Sequence, residues 1–425
     1  MKQYDSYKES GVEWIGKVPS HWEIMPLKFT GTFGNGLTYS PKDVVDNGIL
    51  VLRSSNIQNS SLSFEDNVYV SNVSKVLLVQ KGDVIICSRN GSAALVGKSA
   101  FIDKDINATF GAFMMRYIPK INKKYGFYLF QTAIGRYKGY FATTTINQLT
   151  KSTIGEMKVP LANTEEQTAI VDFLDNKCSE IDKVISAQQK RIALLQELKQ
   201  SVITHVVTKG LNPNVEMKDS GVEWIGKVPK HWEICKLKHV SSLYGRIGFR
   251  GYNQTDLVSE GEGAITLSPS NMQNGTMDYN KCSFLSWKKY YESPEIMIKD
   301  GDILFVKTGS TYGKTSLVNK LPMEATINPQ IVVFKDIKVN NHFLYYLLTN
   351  DIVQMQVSLT VGGSTIPTLS QDNILNYVIP IAPKNEQDEI ANYLDKKCKS
   401  IDLLKTEDIH PPKTGISVHF SGSLV

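Results

Sequence analysis

The chain has 425 residues, 41% of them hydrophobic and 21% charged, without a polar low-complexity tract; this excludes a disordered protein and exceeds one ordinary core, so two or three domains are expected. No apolar run approaches the roughly eighteen residues of a membrane span, and the segment Met1 to Lys8 lacks the apolar stretch of a secretion signal, which points to a cytoplasmic protein. The net charge of +5, 47 basic minus 42 acidic residues, permits a polyanionic partner without requiring one, and residues 29–103 hold six basic and six acidic side chains, so charge is not concentrated.

Residues 9–28 recur at 219–238 with 16 of 20 positions identical. Each copy sets two tryptophans eight apart around a proline: Trp14, Ile15, Val18, Pro19 and Trp22, then Trp224, Ile225, Val228, Pro229 and Trp232. Such a segment reads as an apolar clamp pinning the start of a module onto its own core, with a partner-protein contact as the alternative. His21 and His231 stand beside the second tryptophan; no acidic or cysteine neighbour makes either a convincing metal ligand, and both read as structural.

A second echo pairs Lys81 to Ile86 with Asp300 to Phe305, each a Gly-Asp turn feeding a buried strand. Two glycine-lysine stretches follow. Gly91 to Gly97 has five residues between its glycines and Gly309 to Gly313 has three, where a nucleotide-binding phosphate loop needs four. Either loop can meet a DNA phosphate or be a plain hairpin. No nucleophile elbow, zinc-protease helix or dinucleotide fingerprint is present, and Asn328-Pro329-Gln330 is the nearest approach to an amino-methyltransferase motif. An enzyme with two equal active sites would have repeated some catalytic cluster, so the chain reads as a binder.

The third echo sets Val159 to Ala162 and Glu166-Gln167 through Asp182 against Ile379 to Ala382 and Glu386-Gln387 through Asp402. Thr164 reads as an N-cap with acids in the first turn, followed by apolar residues at helical spacing. Ile181, Ile185, Gln188, Ile192 and Leu195 step by four and three, the spacing of a coiled coil, with Val184, Leu194, Leu198, Val202 and Val206 widening the stripe until Gly210 and Pro213 stop it. From Ile181 onward this helix is ~40 Å long, against about 34–36 Å for one turn of B-DNA. A rod of that size can hold two modules about one turn apart. The repeat period near 210 residues excludes a solenoid and indicates duplication of a whole domain. The five cysteines (Cys87, Cys178, Cys235, Cys282, Cys398) form neither a metal pattern nor a disulfide framework, and read as reduced and structural.

The doubled Ser-Gly-Val-Glu-Trp-Ile-Gly segment, the Gly-Asp strands and the Glu-Gln helices together closely resemble the specificity subunits of type I restriction-modification systems, over roughly residues 1–405. The resemblance implies an α+β fold: two β-rich target recognition domains joined by long conserved helices that pair as an antiparallel coiled coil. It lays out a first recognition domain at 1–162, a spacer helix at 163–210, a second recognition domain at 211–382, a shortened second helix at 383–405 and an atypical polar tail at 406–425. It further implies double-stranded DNA as a partner, two methyltransferase subunits, and motor-nuclease subunits in the full complex. S-adenosylmethionine, ATP and magnesium then belong to those partners, and this chain binds no cofactor or metal and performs no catalysis.

This sequence departs from the pattern after Leu404, where Pro411-Pro412 forbids a continuing helix. A frameshift or recombination scar is the expected origin, and an exposed apolar stripe between Ile185 and Val206 the expected consequence. The candidate DNA contacts are polar or basic residues: Arg53, Ser54, Asn56, Arg89, Asn90, Thr144, Asn147 and Gln148 in the first half. In the second they are Arg246, Arg250, Asn253, Lys307, Thr308, Lys314 and Thr365. Two rival readings stand beside this one. A fused modification enzyme would transfer methyl groups by itself, and a scaffold bridging two proteins would give no sequence-selective, salt-dependent gel shift.

Overall fold

A computed structural model describes residues 4–141, 148–246, 248, 251–273, 275–361 and 367–409; the side chains of 138–141 and 407–409 are not among them. The chain forms two compact units, the first ending at Ile185 and the second beginning at Ser186.

In the first unit, β1 (Glu23–Pro26) pairs with β8 (Lys158–Leu161). Between them lie β2 (Gly31–Asn35), β3 (Ile49–Leu52), β4 (Val84–Cys87), β5 (Ser99–Phe101), β6 (Ala108–Phe110), β7 (Met114–Pro119) and helix α1 (Lys123–Phe141). An antiparallel sheet runs β5-β4-β7-β2, and a second sheet contains the parallel pair β6-β3. Helix α2 (Thr164–Lys209) begins here and ends in the second unit.

The second unit repeats this plan. Strand β9 (Glu233–Lys236) pairs with β16 (Val378–Ile381), and between them lie β10 (Ser242–Gly245), β11 (Gly263–Leu267), β12 (Ile303–Val306), β13 (Thr315–Leu317), β14 (Ala325–Ile327) and β15 (Ile331–Lys335). The antiparallel sheet runs β10-β15-β12-β13, the same order as in the first unit, and β11 pairs with β14 in parallel. Helices α3 (Asn341–Thr349) and α4 (Asp351–Thr360) precede β16, and α5 (Lys384–Ile409) follows it.

The Gly-Asp echo is the entrance to an inner strand of each four-stranded antiparallel sheet. Gly82 and Gly301 have φ of 93° and 87°, a region open to glycine without steric cost. The carboxylates of Asp83 and Asp302 accept the amides of Gln80 and Lys299 at 2.8 Å, closing the turn. All four residues of β4 and of β12 are buried, so both strands are continuous apolar runs rather than alternating ones.

Helix α2 spans 46 residues. Its cap is Asn163 rather than Thr164: the Asn163 side chain accepts the Glu166 amide at 2.9 Å. At the other end Gly210, with φ of 76°, ends the helix where a Cβ would meet Trp232 at 3.4 Å and Glu386 at 3.2 Å. The apolar stripe divides by position. Ile181, Val184, Ile185, Leu194 and Leu198 are exposed, whereas Ile203, Val206 and Val207 are buried in the second unit with Trp232, Leu237, Phe343, Ile390, Leu394 and Cys398. The expected exposure between Ile185 and Val206 therefore stops short of Val206, because the last turns of α2 enter a core. Helix α5 has 26 residues and reaches Ile409, beyond the expected end at residue 405. Residues 410–425, including Pro411-Pro412, lie outside the described residues.

Candidate nucleic-acid interface

Two sites are duplicated between the units: a latch that closes each module and a cluster of polar loops beyond the buried strands.

The latch explains the Trp-rich segment. In the first unit, Glu166 at the start of α2 accepts the Trp22 indole N–H at 3.0 Å and lies 2.9 Å from His21 Nε2. In the second, Glu386 accepts the Trp232 N–H at 2.9 Å and lies 2.8 Å from His231. Each histidine thus has an acidic partner far away in sequence, 145 residues on for His21 and 155 for His231, which local reading misses. The adjacent glutamines are structural as well. Gln167 accepts the Asn122 amide and donates to the Ala162 carbonyl, and Gln387 does the same with Asn340 and Ala382. Burial, the largest influence on Glu166, raises its carboxyl; hydrogen bonds from His21, Trp22 and Tyr4, with the His21 charge, outweigh it and leave it below its ordinary value.

The loop cluster of the first unit lies where β4 ends. The amides of Ser88 and Arg89 both donate to the Phe113 carbonyl, and Leu149 donates to Ser88, placing Arg89 opposite Gln148. The Arg89 guanidinium lies 5.4 Å from the centre of the exposed Phe113 ring. Asn90 donates to the Ser54 hydroxyl at 3.2 Å, and Lys98 Nζ is 3.5 Å from the Ser54 carbonyl. Ser54, Arg89, Asn90 and Gln148 are therefore brought together. Lys98 joins them although the sequence reading did not select it; its counterpart Lys314, in the recurring Gly-Lys pair, was the available signal. Arg53 is committed to Asp66, with an ion pair at 2.7 Å and a bond to its carbonyl.

Asn56 is buried and fully employed: it accepts the Arg53 amide and donates to the carbonyls of Ser63 and Asp66. Asn271 repeats the arrangement with Ser268, Asp278 and Lys281. These asparagines shape the loop from within.

In the second unit, Lys307 and Thr308 donate their amides to the Gln330 carbonyl, Leu369 donates to Lys307, and Thr308 lies opposite Thr368. Lys314 Nζ is 3.4 Å from the Pro269 carbonyl, as Lys98 is to Ser54. Burial holds the Lys307 ammonium below the ordinary lysine range. Asn253 is exposed and caps a short turn by accepting the Thr255 amide. Arg246 is buried, donating to Ile327 O and Thr326 Oγ1 beneath the Tyr252 ring, which makes it a core arginine. Thr144, Asn147, Arg250 and Thr365 lie outside the described residues. Both glycine-lysine loops are connections between antiparallel neighbours, β4 to β5 and β12 to β13.

The comparisons with known proteins agree with this duplicated architecture. The family model described as type I restriction modification DNA specificity domain matches residues 19–193 and 247–409. The specificity subunit of the type I restriction enzyme MjaVIII from Methanocaldococcus jannaschii is 25% identical over 346 residues, covering 79% of this chain and 76% of that one. The EcoKI specificity subunit of Escherichia coli K12 is 24% identical over 409 residues, covering 92% and 85%. A solved chain, from work on the assembly and conformational transition of the type I R-M system, superposes with a TM-score of 0.68 at 16% identity, covering 92% of this chain and 93% of that one. With two matched copies that take in most of its length, each built on the same strand order and closed by the same glutamate latch, the chain belongs to the type I restriction-modification DNA specificity family.

Proposed function

We propose that the chain is the non-catalytic, cytoplasmic specificity subunit of a type I restriction-modification complex, each unit reading one half of a bipartite double-stranded DNA site. The observation that carries this reading is the paired loop cluster. Arg89, Gln148 and Lys98 occupy the same places on the first sheet as Thr308, Thr368 and Lys314 on the second, with Ser54 and Asn90 beside the first set and Lys307 beside the second. Arginine, asparagine and glutamine supply the pairings that discriminate bases, at ~1–3 kcal/mol each, while lysines contact phosphates. Asn253, at an exposed turn, belongs to the same assignment.

Residues 1–162 and 211–382 are assigned as the recognition domains, 163–210 and 383–405 as spacer helices, and 406–425 as an added tail. The helices dock two methyltransferase subunits, and motor-nuclease subunits complete the assembly; S-adenosylmethionine, ATP and magnesium act there. The test is a gel shift with the methyltransferase partner present, using a randomised duplex library at several salt concentrations. A selected two-part motif whose affinity falls steeply with salt supports the assignment. Absence of sequence selection with the partner bound, or methyl transfer from labelled S-adenosylmethionine by this chain alone, overturns it.

A further inference from the structure

The two units share one sequence pattern but not one degree of closure. With an offset of 220 residues, Ile170, Leu174, Cys178 and Ile181 on α2 correspond to Ile390, Leu394, Cys398 and Ile401 on α5. The second set is buried, with Ile401 3% exposed, and Ile390, Leu394 and Cys398 share a cluster with Ile203, Val206 and Val207 from the end of α2. The first set is open: Ile170 and Leu174 are half-buried, Cys178 is exposed, and Ile181 is 56% exposed.

The latch follows the same difference. Trp232 is 0% exposed beneath the Gly210 end of α2, whereas Trp22 is only half-buried, with Tyr4 edge-on at 6.2 Å. Charge repeats it again. Asp402 pairs with Lys199 at 2.6 Å, and its counterpart Asp182 forms no ion pair among the described residues.

We propose that the face of the first unit formed by Trp22, Ile170, Leu174, Cys178 and Ile181 is a docking groove for an amphipathic helix from a separate polypeptide. The second unit already shows what such an occupant looks like, because the end of α2 fills the equivalent face there. The helix carries a cation at the place of Lys199, apolar residues at those of Ile203, Val206 and Val207, and a terminal glycine that lets it approach the tryptophan. Four half-exposed or exposed apolar side chains on one helix face are an uncovered surface that burial would stabilise. The groove is independent of DNA reading, since none of its residues belongs to the loop cluster.

The probe is a synthetic peptide of residues 190–213 of this chain, which contains no tryptophan or cysteine, added to the full chain. Saturating peptide is expected to shift the tryptophan emission to the blue and to slow alkylation of Cys178 at least ten-fold by mass spectrometry. Cys398, already buried, is the internal control. The same peptide with Ile203→Asp and Val207→Asp is expected to do neither, and Asp182→Lys in the protein to weaken the native peptide. An unchanged Cys178 rate at saturation, or equal protection by the double-aspartate peptide, overturns the proposal. Concentration-dependent protection of Cys178 without peptide would also overturn it, because the occupant would then be a second copy of this chain.

Discussion

Replacing Glu386 isolates how much the latch contributes. In Glu386→Ala the Trp232 indole N–H, part of a side chain that is fully buried, loses its acceptor, 2.9 Å away in the intact protein. An unsatisfied buried donor costs ~1–3 kcal/mol, and the half-exposed His231 pair adds at most about 1 kcal/mol. A loss of about 2–3 kcal/mol is therefore expected. Glu386→Gln keeps a carbonyl for the indole and removes only the charge opposite His231, so it costs below about 1 kcal/mol. Glu166→Ala in the first unit is expected to cost about 1 kcal/mol, because Trp22 is only half-buried and water replaces the lost acceptor. Urea unfolding followed by tryptophan emission measures all three. If Glu386→Ala and Glu386→Gln fall within about 0.5 kcal/mol of each other, the indole hydrogen bond is not what closes the module.

Other consequences separate buried from exposed parts of the same motifs. Val207→Ala removes packing from a fully buried site and is expected to cost about 2 kcal/mol, while Leu194→Ala on the exposed part of the same helix stays within about 0.5 kcal/mol; thermal denaturation distinguishes them. The Glu166 carboxyl lies below its ordinary value in the folded chain, so its contribution is complete above about pH 4.3 and is lost as pH falls through the folded value. Acid titration of stability is expected to lose part of its slope below that pH in Glu166→Gln. Arg89→Ala is expected to relax base preference at one position of one half-site if it reads a base, at ~1–3 kcal/mol. Lys314→Ala is instead expected to weaken all duplexes alike and reduce the salt slope by about one unit.

Much of this organisation is legible in the sequence because duplication acts as an alignment inside one chain. The Gly-Asp turns, the buried strands after them and the long helix ending at Gly210 follow from residue types and their spacing. What was not legible lies in long-range contacts. Nothing near His21 in sequence announces Glu166, although the recurrence of Glu-Gln at 386–387 was the available sign. Arg246 and Asn56 look like surface readers by type, but their partners, Thr326 and Ser63, become visible only when the sheet is assembled. The cap at Asn163 rather than Thr164 is a one-residue shift that propensity alone does not resolve.

The two loop clusters also bear on what kind of site is read. Their frames are set by shared features: Asn56 and Asn271 bond their loops alike, Lys98 and Lys314 reach equivalent carbonyls, and Ser88 and Lys307 accept from equivalent leucines. The side chains at the exposed positions differ. Arg89 stands where the second unit has Thr308, Gln148 where it has Thr368, and Ser54 where it has Pro269. An arginine reaching a guanine cannot be replaced by a threonine at the same backbone position without changing the preferred base. Equal frames bearing unequal side chains recognise unequal half-sites, so on the proposed function the motif selected from a random library is asymmetric; a palindromic motif would remove these residues from base reading.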